Sequence, residues 1–356
     1  MAEKMIQNRR LPAFFRQNSA ILVMVFVLVL LPFVIGLFEG VSPAAVWTNE
    51  SGISKFIQGL AIEIFILALY ALSYDLIFGI TGLLSFGHSM FFAVGAYLTG
   101  ILLKNFGLSL GLTLILVFLA AILQALLFGL VLPRVKGITF ALVTLGLASV
   151  FHIVIQSREL GDYTGADVGL QGVVTPAFIN PVTERLRFYF VALALMLLVY
   201  FLYRRFVNSP TGRVCVAIRE NEGRARMLGY NTFYFKLAAL TLSSITAALA
   251  GALHLLYQPI VTPNVAGLGY TVTALLIILI GGVGTLNGAL IGALIYRLLD
   301  FGLRRFVGES ASFINGAIYV AIVLFLPYGI VGTWRLKSFQ VKQGWERLLR
   351  LVQLSK

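Results

Sequence analysis

About ten separate stretches of this sequence stay apolar for close to 20 residues each, the length a helix needs to cross a hydrocarbon core of ~30 Å. Nothing else in the chain narrows the fold so far. Inside a bilayer every backbone N–H and C=O must be satisfied within the protein, which leaves helices or a closed barrel. The runs here are continuous and do not alternate, so helices are expected. Composition agrees: 59% of residues are hydrophobic, 12% are charged and the mean hydropathy is +0.94, against roughly 25% charged in an ordinary soluble domain. The sequence therefore predicts an all-α integral membrane protein of about ten transmembrane helices. Spans are expected near 20–38, 57–78, 84–103, 110–131, 137–156, 188–203, 237–257, 268–284, 286–300 and 312–331. The first follows a basic stretch and resembles a signal peptide, but no A-x-A-type cleavage site comes after it, so a retained span is expected.

Charge orients the array. With residues 1–19 inside, the interior segments hold nineteen of the 27 Lys and Arg and four of the 14 Asp and Glu. This is the positive-inside pattern, and it assigns the net charge of +13 to membrane topology in place of nucleic-acid binding. The expected layout is a cytoplasmic tail at 1–19, a transmembrane domain at 20–331, an outer loop at 157–187 and a basic cytoplasmic tail at 332–356. Arg304 and Arg305 fall outside by this count; a snorkelling span end and a re-entrant segment both fit them.

Several chemistries are excluded. The one cysteine, Cys215, allows no intrachain disulfide, and His88, His152 and His254 are scattered, so no metal site is expected. No phosphate loop, nucleophile elbow or paired catalytic carboxylates occur. The chain is not expected to be an enzyme or to hold a cofactor.

Between two apolar runs lies GRVCVAIRENEGRARMLG, a compact block of alternating charge. Arg219, Glu220, Glu222, Arg224 and Arg226 form its polar side, and Gly229 ends it. Glu220–Arg224 and Glu222–Arg226 are i,i+4 pairs with the acid leading, the better order for a short helix. A helix at 213–229, outside the lipid on the interior side, is expected; docking to a partner and plain solvation are both open readings.

Two glycine-rich runs interrupt the apolar segments. GITGLLSFGHSMFFAVGAYLTG places Ser85, His88 and Ser89 among five glycines, either as an unwound segment beside a transport path or as close packing. In GGVGTLNGALIGALIY, Gly284, Gly288 and Gly292 recur every four residues, a stripe suited to a close helix crossing. Glu63 lies within the second span, where an ionisable side chain points to function, whereas Asp75 is expected near the inner end, facing water.

These residues carry a resemblance. Tyr74–Tyr97 (YDLIFGITGLLSFGHSMFFAVGAY), the interior block continued to Leu237, and Ile280–Ala293 followed by LPYGIVG are similar to the LivM-type permeases of branched-chain amino acid ABC importers, with urea and amide permeases close by. The likeness covers roughly residues 57–332. It implies a type II-like importer permease in the bacterial inner membrane that pairs with a LivH-like second permease. Two LivG- and LivF-like ATPases would supply ATP and Mg chemistry, and a periplasmic binding protein would deliver the substrate. The block at 213–229 would then be the coupling helix, with Arg219, Glu220, Glu222, Arg224, Arg226 and Gly229 serving ATPase coupling. Ser85, His88, Ser89 and Glu63 would border the substrate path, and Gly284, Gly288 and Gly292 would pack helices. Competing readings are a urea or short-amide permease, an ATP-independent secondary transporter using Glu63 and His88, and, lowest, a lipid-acting membrane enzyme.

Overall fold

The protein was described from a computed structural model that covers residues 23–47, 52–326 and 328–334. The tail expected at 1–19, and that expected at 332–356 apart from its residues 332–334, lie outside the described residues. In chain order the helices are α1 (Val23–Phe38), α2 (Pro43–Trp47), α3 (Ile53–Tyr74), α4 (Ser89–Lys104), α5 (Leu110–Gly129), α6 (Ile138–Gln156) and α7 (Gly161–Thr164). They continue as α8 (Arg185–Asn208), α9 (Pro210–Met227), α10 (Thr232–Tyr257), α11 (Leu268–Gly281), α12 (Leu286–Val307) and α13 (Ala311–Phe325). Among the described residues six helices are long and apolar enough to cross a membrane, α3 counted with its extension to Ile80, and four shorter apolar helices accompany them.

Two compact units are distinguished. The smaller comprises residues up to Ile62 and Ala177–Val191. In it Glu39 accepts hydrogen bonds from the free N–H groups of Ile53 (2.6 Å) and Ser54 (2.9 Å) at the start of α3, a carboxylate set at the positive end of a helix dipole. Tyr189 donates to the carbonyl of Leu28 at 2.5 Å, and Phe33 stacks on Phe190.

The larger unit comprises Glu63–Pro176 and the chain from Ala192 onward. Its centre is the crossing of α4 and α10, where a Cβ on Gly95 would collide with the backbone of Ala248 and one on Gly251 with the backbone of Phe92. Reciprocal small residues let the two backbones touch, which is how helices associate where lipid removes the hydrophobic drive. Around this centre α5 and α6 turn Leu119, Leu123, Val150 and Ile153 outward, each more than half exposed, a lipid-suited surface. At the end of α4, Lys104 donates to the Gln171 carbonyl (2.8 Å). There β1 (Leu170–Gln171) pairs antiparallel with β2 (Ile260–Val261), Leu170 opposite Val261.

Two breaks between helices bear on the site. After Tyr74 the third helix widens into a π turn at Asp75–Ile80, and the chain then unwinds from Gly82 to Ser85 before α4. This is the interruption expected in the first glycine-rich run. The second break, Gly282–Thr285, separates α11 from α12.

Candidate functional site

The two breaks meet at α9. Ser209 caps that helix by accepting from Gly212 N–H (3.2 Å), with Pro210 in the first turn. Its course corrects the sequence expectation of one regular helix. Asn221 leaves helical geometry (φ −161, ψ 100), and its side chain accepts from Arg224 N–H at 3.0 Å, so a second short piece starts there. Because the kink lies between them, Glu220 and Arg224 form no ion pair among the described residues, whereas Glu222 and Arg226, on the same side of it, meet at 2.6 Å.

The charged residues of α9 divide by direction. Glu222 is a hub: it accepts from Arg226, from Lys236 Nζ (2.7 Å) and from Thr232 Oγ1 (2.9 Å), binding α9 to the start of α10. Burial alone would raise its carboxyl, but the hydrogen bonds and charge of Lys236, then Thr232 and Arg226, outweigh that and hold it below the usual carboxylate range. Arg219 points the other way and donates to the Gly79 carbonyl in the π turn. Glu220 and Arg224 are exposed, and Gly229 takes φ +87 just past the helix, the left-handed conformation that suits glycine. Beyond them Met227 (89% exposed), Leu228 and Tyr234 are apolar side chains left exposed among the described residues.

Asp75 completes the joint. It is fully buried and accepts from Gly284 N–H at 2.7 Å. This corrects the expectation that Asp75 faces water: closeness to a helix end does not say which way a side chain turns. Gly79 carries no Cβ because one would strike Asp75 and the Gly284 backbone. One π turn is thus linked to α9 through Arg219 and to the α11–α12 break through Asp75.

The remaining expected residues lie elsewhere. Gly284 is in the turn before α12 at φ +74, so it is not on the helical face the spacing of four implied. Gly288 and Gly292 are on α12, backed by the Gly281–Gly282 and Ile277 backbones of α11 and its end. Ser85, His88 and Ser89 are fully buried. Ser89 donates to the Ala266 carbonyl (2.9 Å) and its N–H to Thr271 Oγ1 (2.9 Å). The Ser73 hydroxyl gives its hydrogen to the Tyr70 carbonyl, so His88 Nε2, 2.8 Å away, must be the donor to Ser73. Nε2 then carries a hydrogen, and the ring is packed among Tyr70, Tyr74 and Phe91.

Glu63 stands apart from these three. It pairs with Arg297 of α12, which also donates to Asp300 (3.0 Å), which in turn accepts from Arg304 (2.9 Å). Sequence reasoning named neither Arg297 nor Asp300, although the ladder Arg297, Asp300, Arg304 at spacings of three and four was a readable signal. The same ladder ends on Arg304, in the last turn of α12, which is ion-paired with Asp300.

The family model described as "Branched-chain amino acid transport system / permease component" matches residues 56–327. The chain belongs to this family. Both breaks, α9 and the Glu63–Arg297 pair fall within the matched range. The permease is 27% identical over 318 residues to the high-affinity branched-chain amino acid transport system permease protein LivM of Salmonella typhimurium, covering 82% of this chain and 74% of that one. It is 25% identical over 285 residues to LivH of Escherichia coli (74% and 91%) and 24% identical over 280 residues to BraD of Pseudomonas aeruginosa (74% and 91%). No solved structure matches the chain.

Proposed function

We propose that this permease is one half of a membrane channel pair in an ATP-driven importer, and that α9 is the element through which partner ATPases act on it. The observation that carries this reading is the two-sidedness of α9. Its inner side is tied to both helix breaks through Arg219 and Asp75, while its outer side offers Met227, Leu228 and exposed charge. A helix with no partner gains nothing from an uncovered apolar face; a docked one buries it. Closure of the ATPases would push α9, and the π turn and the α11–α12 break are the places where the bundle can yield.

On this reading the six long and four shorter apolar helices make ten crossings of type II-like architecture. The interior charge bias supports cytoplasmic termini, and the membrane of this reading is a bacterial inner membrane. The second permease is LivH-like, the ATPases are LivG- and LivF-like and hold ATP and Mg, and a periplasmic binding protein hands over a branched-chain or related amino acid. We place the substrate path beside Glu63. Ser85, His88 and Ser89 stiffen the wall behind it, His88 stacking on Tyr70, which packs on Tyr270.

The test is purification of the tagged full chain from its host in mild detergent, with identification of what accompanies it and with uptake measured in vesicles with and without ATP. Recovery of two ATPases and ATP-dependent uptake is expected. Uptake by the chain without any ATPase would replace this reading with an ion-coupled transporter.

A further inference from the structure

Within the larger unit, a cavity of ≈ 70 Å³ lies where the unwound chain after the π turn, the turn before α6, α9 and the start of α10 come together. It is far below the ~300 Å³ at which small-molecule sites begin, so it admits a compact group and excludes a whole organic ligand. Its ionisable lining is Lys136, Arg219, Glu222 and Lys236, drawn from three separate elements. The signs do not balance. Glu222 already holds both Lys236 and Arg226, and Asp75 lies within reach of the Arg219 charge. Against these two carboxylates stand four cations, Lys136, Arg219, Arg226 and Lys236. Glu220, next along α9, is exposed and does not line the cavity.

We propose that this cavity binds a phosphate group, carried by an anionic phospholipid of the inner leaflet. The first argument is charge. A surplus of positive charge around a partly enclosed space is costly until an anion enters, and phosphate suits both Lys and the planar guanidinium. Arg219 gives Nη1 to the Gly79 carbonyl, which leaves Nε and Nη2 as donors for an incoming oxygen. The second argument is a set of free backbone donors. Leu84, Lys136 and Gly137 lie on the cavity wall, and their N–H groups meet no acceptor among the described residues. Nor does any side chain cap α6 where it starts after Gly137. A phosphate offers several acceptor oxygens within one compact group, which is what such a wall can satisfy.

Position argues for the lipid as the source. Lys136 and Gly137 directly precede α6, whose Ile138 and Leu142 are exposed on its apolar outer face. On the charge-based orientation given above this is the cytoplasmic end, at the level of the headgroups, where basic pockets between helices capture anionic lipid. A headgroup seated there leaves its acyl chains along α6. The proposal rests on that orientation and is independent of the solute carried. Inorganic phosphate bears the same oxygens without acyl chains, so the cytosol is the other source to be separated. A phosphate held by Lys136, Arg219 and Lys236 would tie the turn before α6 to α9 and α10, and its occupancy would steady α9 against the bundle.

The test titrates the full chain, purified in neutral detergent and stripped of lipid, with phosphatidylglycerol, with diacylglycerol of the same acyl chains and with inorganic phosphate. Bound lipid is counted by native mass spectrometry and bound phosphate by calorimetry. Saturable binding of phosphatidylglycerol is expected, with none of diacylglycerol, which lacks the phosphate. Lys136→Gln should weaken it roughly fivefold, Lys136→Arg should restore it, and Arg305→Gln, outside the cavity lining, should leave it unchanged. Val135→Phe provides a second route: it narrows the cavity with every charge in place and should weaken binding in a chain that melts at the native temperature. Diacylglycerol bound as well as phosphatidylglycerol, or lipid binding indifferent to both Lys136→Gln and Val135→Phe, would overturn the proposal. Inorganic phosphate bound in a Lys136-dependent way, with no binding of phosphatidylglycerol, would overturn the lipid as the source. Uptake that needs no ATPase, with lipid binding intact, would instead remove the importer reading and leave this site in place.

Discussion

Asp75 and Gly284 are 209 residues apart in sequence and 2.7 Å apart in space, the carboxylate of one accepting the backbone N–H of the other. The bond closes one end of a frame whose other end is the Glu63–Arg297 ion pair. Both ties join the third helix to α12 or to the turn that starts it. Movement of the π turn therefore cannot leave α12 undisturbed.

Removing the Asp75 acceptor strands the partly buried N–H of Gly284. Asp75→Ala should destabilise the solubilised protein by about 1–3 kcal/mol, whereas Asp75→Asn, which still offers an oxygen, should cost less. Thermal unfolding of the two variants, monitored in one detergent, checks the order; equal losses would mean that the hydrogen bond is not what Asp75 contributes.

Gly292 lets α12 lie on the backbone of α11, since a Cβ there would collide with the Ile277 carbonyl. Gly292→Val should force the helices apart at a cost of about 1–3 kcal/mol. Gly302 has open space at its Cβ position, so Gly302→Ala should be neutral or slightly stabilising through helix propensity. Comparing their melting temperatures tests the packing account.

Glu222 gives the α9–α10 junction an acid-sensitive element. Its carboxyl titrates below the ordinary value of 4.5 in the folded chain. A group depressed on folding adds stability above its unfolded pKa and loses it as pH falls through the folded one. The junction should hold unchanged from neutral pH down to about 4.5 and weaken below it. Glu222→Gln should remove that acid limb and leave Lys236, whose side chain is 7% exposed, without its carboxylate. Limited proteolysis across 209–236 as a function of pH reads this directly.

Met227 and Leu228 are 89% and 77% exposed, so replacing them disturbs no internal packing. Met227→Asp with Leu228→Asp should preserve the melting temperature yet weaken ATPase recruitment by at least roughly tenfold. Unchanged co-purification of the ATPases would place the docking surface elsewhere.

Much of the helical architecture could be read from the sequence because bilayer thickness fixes helix length: among the described residues six helices are long and apolar enough to cross a membrane, with four shorter apolar ones beside them. The first glycine-rich run offered unwinding as one of two readings, and the chain unwinds there; the second reads as a packing stripe, and its turn at Gly282–Thr285 takes Gly284 off the helical face. What stayed hidden depended on direction or distance. Asp75 was misjudged because the π turn, not proximity to a helix end, decides where its carboxylate points. Asn221 gave no signal of its kink: the i,i+4 acid–base spacing continues straight across it, and only the backbone angles interrupt the helix. Arg297 and Asp300 were legible as a ladder, but their partner Glu63 lies 234 residues before Arg297, and a single sequence holds no information on contacts so remote. His88 drew attention as a polar residue in a span, yet Ser73 and three aromatic rings account for its surroundings.

Arg219 tethers α9 to the π turn through the Gly79 carbonyl. In proteoliposomes holding the complete importer, substrate uptake and ATP hydrolysis would be measured together for the native chain and for Arg219→Gln. ATPase binding and hydrolysis close to native, with uptake per ATP lowered at least roughly tenfold, is the predicted result. Uptake per ATP unchanged in that variant would contradict it, and would reduce the contact with Gly79 to ordinary packing.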